Sequence, residues 1–231
     1  MLCFYFMNRK TYSTMNNYVK RTIRLIFGLF LYALGIFLSI QANIGLAPWE
    51  AFSMGGSYLT HLSYGNIVVI TGFIIIAIDY VLKEKIGFGT ILNAILIGTF
   101  VDLIQLFNFI PMMSNFWLGL LMLLIGQVVI SIASYLYIGA SLGCGPRDAL
   151  MVALGKRMPK VPIGAIRGLI EGTVLFVGWL LGAKIGIGTV ISVFGIGLIL
   201  QLTFKLLRFD VKSIRHESVT DTVKEMSSTI S

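Results

Sequence analysis

Cysteine and histidine are nearly absent: Cys3, Cys144, His61 and His216 are the whole supply. The cysteines stand far apart, one in a polar N-terminal stretch and one inside a glycine-rich motif, so no disulfide is read. No Cys/His cluster has metal-ligand spacing. No metal site and no cofactor are expected. Charge is scarce too. Asp, Glu, Lys and Arg supply 12% of the 231 residues, against about 25% in a soluble domain. That deficit argues against an ordinary soluble globular protein.

Apolar sequence fills the gap. The chain is 57% hydrophobic and its mean hydropathy is +0.90. Six apolar runs lie near Ile23–Ala42, Ile67–Leu82, Phe88–Phe109, Phe116–Ile138, Ile163–Leu181 and Ile187–Leu207. A helix needs about 20 residues to cross about 30 Å of hydrocarbon. Only helices satisfy their own backbone groups inside lipid segment by segment. The expected fold is therefore an all-α integral membrane protein with six spans, and its first partner is the bilayer.

The net charge of +8 invites a nucleic-acid reading, but the placement of the charges argues against it. All Lys and Arg except Lys184 fall in the tails, in the links after the second and fourth runs, or at the adjoining run ends. Basic residues on one face set topology. Both termini are expected to be cytoplasmic, with no nucleic-acid partner. Residues 1–21 have no signal-peptide cleavage site and are expected to be a disordered tail. Residues 210–231 form the other tail.

The middle of the chain repeats itself. Gly45-Leu46-Ala47-Pro48-Trp49-Glu50 returns 98 residues later as Gly143-Cys144-Gly145-Pro146-Arg147-Asp148. Lys85-Ile86-Gly87-Phe88-Gly89-Thr90 returns 99 residues later as Lys184-Ile185-Gly186-Ile187-Gly188-Thr189. At that offset Gly65 matches Gly164 and Gly98 matches Gly197. One three-span repeat covers residues 22–110 and the other residues 115–209. An odd number of spans per repeat makes the two halves enter the membrane from opposite sides, which is an inverted-topology repeat. The segments after each proline, Trp49–Leu59 and Arg147–Met158, are too short to cross and read as re-entrant or interfacial helices.

Pro48 and Pro146 fit the first position of a helix. Glu50 and Asp148 then complement the helix dipole in the first turn. These acids either cap two surface helices or frame a ligand site between the repeats. Arg147 either binds an anion or pairs with an acid. Arg167 and Glu171, four apart, share a helix face; they either line a cavity or neutralise each other. Asp102 is an acid inside the third span and a candidate by default. Asp79, near Lys83, reads as an ordinary end charge. Asn43, Asn93 and Gln127 read as interhelical hydrogen-bonding groups, and Cys144 as a small packing residue.

Both glycine-proline motifs and the twin Ile-Gly-x-Gly-Thr stretches resemble those of the bacterial YczE/YyaS/YitT membrane proteins, most closely the YczE-like branch. The resemblance covers about residues 22–209. It implies a multi-span protein of the bacterial cytoplasmic membrane and brings no substrate and no site residues. The C-terminal tail shows no sign of the soluble domain of the YitT branch.

Two function classes follow. One is a small-solute or ion transporter or channel, with Glu50, Asp102, Arg147, Asp148, Arg167 and Glu171 along its pathway and Gly45, Pro48, Gly143, Gly145 and Pro146 shaping the backbone. The other is a non-transporting membrane partner that regulates or assembles another complex. An enzyme is not expected, because no nucleophile–base–orienter set is visible.

Overall fold

The computed structural model describes residues 2–210, 214 and 216–230. It contains α1 (Leu2–Gln41), α2 (Pro48–Thr60), α3 (Tyr64–Val81), α4 (Phe88–Phe107), α5 (Phe116–Gly139), α6 (Pro146–Arg157), α7 (Ile163–Leu180), α8 (Ile187–Leu206) and α9 (Val219–Ile230). Among the described residues there is no strand. Six helices are long and apolar enough to cross a membrane, and they match the six expected runs: the last part of α1 from Asn16, then α3, α4, α5, α7 and α8. The chain is a multi-span membrane protein.

One expectation is corrected at the N-terminus. Residues 2–21 are helical rather than a disordered tail, because α1 starts at Leu2 and runs unbroken to Gln41. No Gly or Pro precedes Gly28, so nothing in that stretch removes a helical hydrogen bond or loosens the backbone. The C-terminal tail also folds back. The Glu217 N–H donates to Ser141 O at 3.1 Å and the Val219 N–H to Ile86 O at 3.0 Å. Glu217 pairs with Arg21 at 2.7 Å and accepts the Tyr18 hydroxyl at 3.1 Å. Lys212, Ser213 and Arg215 lie outside the described residues. Partly exposed ion pairs contribute little, roughly 0–1 kcal/mol. Glu217→Gln is therefore expected to leave the unfolding midpoint nearly unchanged while speeding proteolysis of the tail, read by limited digestion. An unchanged cleavage rate would show that the backbone hydrogen bonds alone hold the tail.

α1 and α5 form the core of the bundle. Leu25, Leu29 and Ala33 on α1 are fully buried, as are Leu123 and Ala133 on α5. Their close approach needs small residues. A Cβ on Gly126 would stand 2.8 Å from Gly35 O, and one on Gly28 would stand 3.0 Å from Leu136 Cβ. Small residues at a membrane helix interface let backbones pack directly. α4 packs on α1 and α3, and α8 on α5. Each short helix packs on a long helix of the other half: α2 on α7, and α6 on α3.

The loops before α2 and α6 adopt the same local structure. Gly45 (φ 126°) and Gly143 (φ 131°) occupy backbone conformations that side chains disfavour. Ile44 O accepts from the Gly188 N–H at 2.8 Å, and Leu142 O from the Gly89 N–H at 2.7 Å. Thr189 Oγ1 accepts from the Gly186 N–H at 3.2 Å, as Thr90 Oγ1 does from Gly87 at 3.1 Å. Each glycine-proline loop thus sits in a socket made by the Gly-x-Gly-Thr turn of the other half.

Candidate functional site

Prolines at the first helical positions start α2 and α6 without losing a hydrogen bond. The next two residues of each helix then line cavities between the two halves. Trp49 and Arg147, which are repeat partners, meet there: the Arg147 guanidinium lies 4.4 Å from the Trp49 ring centroid. A cation over an indole face is held by the ring quadrupole. Among the described residues Arg147 has no carboxylate within ion-pair distance. The expected alternatives were an anion or an acid partner; the structure gives this arginine an aromatic one.

Glu50 is buried, and its carboxylate accepts the Ala47 N–H at 3.2 Å. Burial pushes its carboxyl up to about 7, against the opposing pull of the Ala47 N–H and of Arg147. Asp148 is more exposed and accepts the Tyr137 hydroxyl at 3.0 Å. Arg167 and Glu171 pair along α7 at 2.7 Å.

Two adjoining cavities, of about 140 Å³ and about 110 Å³, occupy the space between these groups. Tyr32, Ile36, Trp49, Arg147, Arg167 and Glu171 line both. The first is completed by Gly145, Pro146, Asp148, Val68, Gly72, Asn93, Ala94 and Ile97, among others. The second is completed by Ala47, Pro48, Glu50, Ser192, Val193 and Ile196, with Ser39, Gln127 and Ile130.

Five of the six expected pathway residues are therefore together: Glu50, Arg147, Asp148, Arg167 and Glu171. Asp102 is not with them. Its carboxylate accepts the Ser63 hydroxyl and, at 2.8 Å, the Gly65 N–H. It fastens α4 to the start of α3 and lines neither cavity.

Asp79 requires a correction. It is fully buried rather than an end charge, and neither carboxylate oxygen has a hydrogen-bond partner. α3 is packed against α4, α2 and α6. Gln127 donates to Ser192 Oγ at 3.3 Å, tying α5 to α8. Asn43 donates to Met113 O at 3.1 Å and accepts from Lys184 Nζ at 3.1 Å. Burial, reinforced by Asp148, pushes the Cys144 thiol up to about 11, so it stays a protonated packing group. Among the described residues no His, Cys, Asp and Glu cluster fit to hold a metal is present.

Sequence reasoning missed Tyr32 and Tyr137. Both are uncharged aromatics inside apolar runs, and only their distance to the repeated motif marks them. Tyr137 stands nine residues before Pro146, and the repeat places Ser39 in the same relation to Pro48.

Comparison with known proteins finds bacterial relatives, one of them named a membrane protein. The chain is 33% identical over 181 residues to a Bacillus subtilis protein named "Uncharacterized membrane protein YczE", covering 76% of this chain and 81% of that one. It is 29% identical over 183 residues to an "Uncharacterized protein" of Haemophilus influenzae, covering 79% and 83%. It is 28% identical over 181 residues to "Uncharacterized protein YyaS" of Bacillus subtilis, covering 76% and 88%. No solved structure matches. Residues 19–205 match the family described as "Family of unknown function (DUF6198)", and the chain belongs to that family.

Proposed function

We propose that the chain is a small-solute transporter of the bacterial cytoplasmic membrane, built from two inverted repeats with the solute site between them. One observation carries the reading: equivalent residues of the two halves line the two cavities. Ala47, Pro48 and Glu50 in one correspond to Gly145, Pro146 and Asp148 in the other. Arg167, Glu171, Ser192, Val193 and Ile196 correspond, 99 residues apart, to Val68, Gly72, Asn93, Ala94 and Ile97. A site repeated about a pseudo-two-fold axis near mid-membrane is the arrangement in which rocking one repeat against the other exchanges access.

In this reading α2 and α6 are re-entrant helices entering from opposite faces, and both termini are cytoplasmic. Irregular backbone at membrane depth is tolerated where it is buried in protein or lines water. The carboxylates and the two guanidiniums in one cavity fit a small solute carrying both signs of charge. Arg147 would receive the anionic group, and Glu171 and Asp148 the cationic one. Glu50 changes protonation near neutral pH and supplies a group for proton coupling.

The test is a thermal-stability screen of the purified protein with amino acids, betaines, carboxylates and amines, followed by flux of any stabilising solute into proteoliposomes. Arg147→Lys keeps the charge and loses the planar stacking on Trp49. It is expected to weaken binding of a stabilising solute about tenfold, the equivalent of about 1.4 kcal/mol. A solute that binds Arg147→Ala and Glu171→Gln as tightly as the parent would remove the site. No flux for any binding solute would favour the non-transporting partner.

A further inference from the structure

The two halves carry the same pair of glycines on the same pair of helices, but use them differently. In the first half, α3 and α4 are closed on each other at Gly65 and Gly98. A Cβ added to either glycine would run into the other's carbonyl oxygen, and Gly72 meets Ala94 one seam position further on. Asp102 fastens this seam through Ser63 and Gly65. In the second half the equivalents are Gly164 on α7 and Gly197 on α8. A Cβ on either would meet nothing within 4 Å, and Gly168, facing the same gap by register, also meets nothing. α7 is packed on α2 and α6, with no comparable packing joining it to α8. Its buried residues are Ile166 and Gly178, whereas α3 buries a whole face.

The seams lie at opposite ends of the molecule. Gly65 is at the start of α3, and Gly98 is in the second half of α4. Gly164 is at the start of α7. That end also carries the C-terminus of α6, whose Arg157 donates to Leu82 O at 2.7 Å just after α3. The docked tail lies at this end too, with Val219 on Ile86. The open gap between α7 and α8 therefore faces the side that carries the chain's tails, and the closed seam faces the other side. Arg167 and Glu171 on α7 and Ser192, Val193 and Ile196 on α8 line the second cavity from the two banks of this gap.

We infer that the α3–α4 and α7–α8 seams are alternating gates: the structure is open toward the tail side, and the opposite state closes Gly164 on Gly197 while parting Gly65 from Gly98. The inference rests on the inverted-repeat reading and adds which residues form each gate. It explains three glycines that serve no packing in the present state. At Gly168 and Gly197, inside α7 and α8, glycine costs about 0.5–1 kcal/mol relative to alanine. Closing α7 on α8 also carries the Arg167–Glu171 pair toward Ser192, moving the charged lining of the site with the gate.

The experiment uses one reporter cysteine, Asn93→Cys, in the full chain with Cys3→Ser and Cys144→Ala. A charged, membrane-impermeant thiol reagent is applied to oriented vesicles from one face or the other. Asn93→Cys is expected to react from both faces, faster from the tail side. Adding Gly164→Leu with Gly197→Leu is expected to cut the reaction from the opposite face about tenfold or more, by favouring the present state through about 1.4 kcal/mol or more. The rate from the tail side should hold. These substitutions meet open space, so the fold is not at risk. Gly65→Ala, by prising the other seam, should raise reaction from the opposite face. The inference is overturned if the parent does not react from the opposite face, or if the leucine pair leaves that rate unchanged. A protein that switches faces in this assay yet moves no solute would retire transport and keep the gates.

Discussion

Gly45→Ala and Gly143→Ala should each destabilise the protein by roughly 2–6 kcal/mol, combining about 1–3 kcal/mol of backbone strain with a clash of about 1–3 kcal/mol. Both glycines have φ near +130°, where a side chain is strained whatever room surrounds it. Room is lacking as well. A Cβ on Gly45 would lie 2.7 Å from the Gly186 nitrogen and 2.8 Å from Thr189 Oγ1. A Cβ on Gly143 would lie 2.7 Å from Thr90 Oγ1 and 2.9 Å from Gly87 Cα. The neighbours are backbone and a hydroxyl already engaged, since Thr90 donates to Cys144 O at 2.7 Å. Gly172→Ala is the control: its Cβ meets nothing, and alanine favours a helix. The measurement is the unfolding midpoint in mild detergent, with the monodisperse yield. The two motif variants should fall together and Gly172→Ala should not. A tolerated Gly143→Ala would mean that the loop leaves its socket at little cost.

Glu50→Gln should raise stability at pH 8 by about 3 kcal/mol and flatten its pH dependence, each pKa unit being worth 1.36 kcal/mol. The sign follows from proton counting. The folded carboxyl titrates near 7, above its unfolded value of 4.5. Between those values the native state holds more protons than the unfolded state, so stability falls as pH rises. Below about 4.5 the penalty is absent, and above about 7 it is complete. The amide carbonyl of glutamine still accepts the Ala47 N–H, so the start of α2 keeps its cap. Unfolding midpoints of parent and variant at pH 5 and pH 8 decide the matter. Parallel curves would show that the Glu50 carboxylate is solvated through the cavity.

How much of this was legible beforehand depends on the distance over which each feature is decided. The six spans are local: a run of apolar residues near the thickness of the bilayer announces itself in Phe116–Ile138 without reference to anything else. The motif starts are local too, because proline and an acid two residues on specify the first turn of α2 and of α6. The helical N-terminal stretch was legible in principle from the missing helix breakers before Gly28, but its polar side chains suggested a tail. Asp79 was misread because its burial depends on the helices packed around α3, which include α6, nearly seventy residues later in the chain. The stacking of Arg147 on Trp49 joins residues 98 positions apart. The repeat set them in register, yet no local rule places them face to face. The packed pair Gly65 and Gly98 and the separated pair Gly164 and Gly197 look identical in sequence; only coordinates tell a closed seam from an open one.

The crossed sockets set an order on how this protein can be made. Asn43 meets Lys184, 141 residues later, and the Gly45 loop has no seat until that turn exists. At about 5–20 residues per second, a ribosome takes on the order of 10 s to supply it. Through that interval α2, with its buried-to-be Glu50, has neither the Gly186 turn nor α7 to lie against. The nascent first half must therefore wait beside the insertion machinery with an acidic helix uncovered. Chains arrested before Ile163 should be recognised by membrane quality control as incomplete, although their first three spans are already in place.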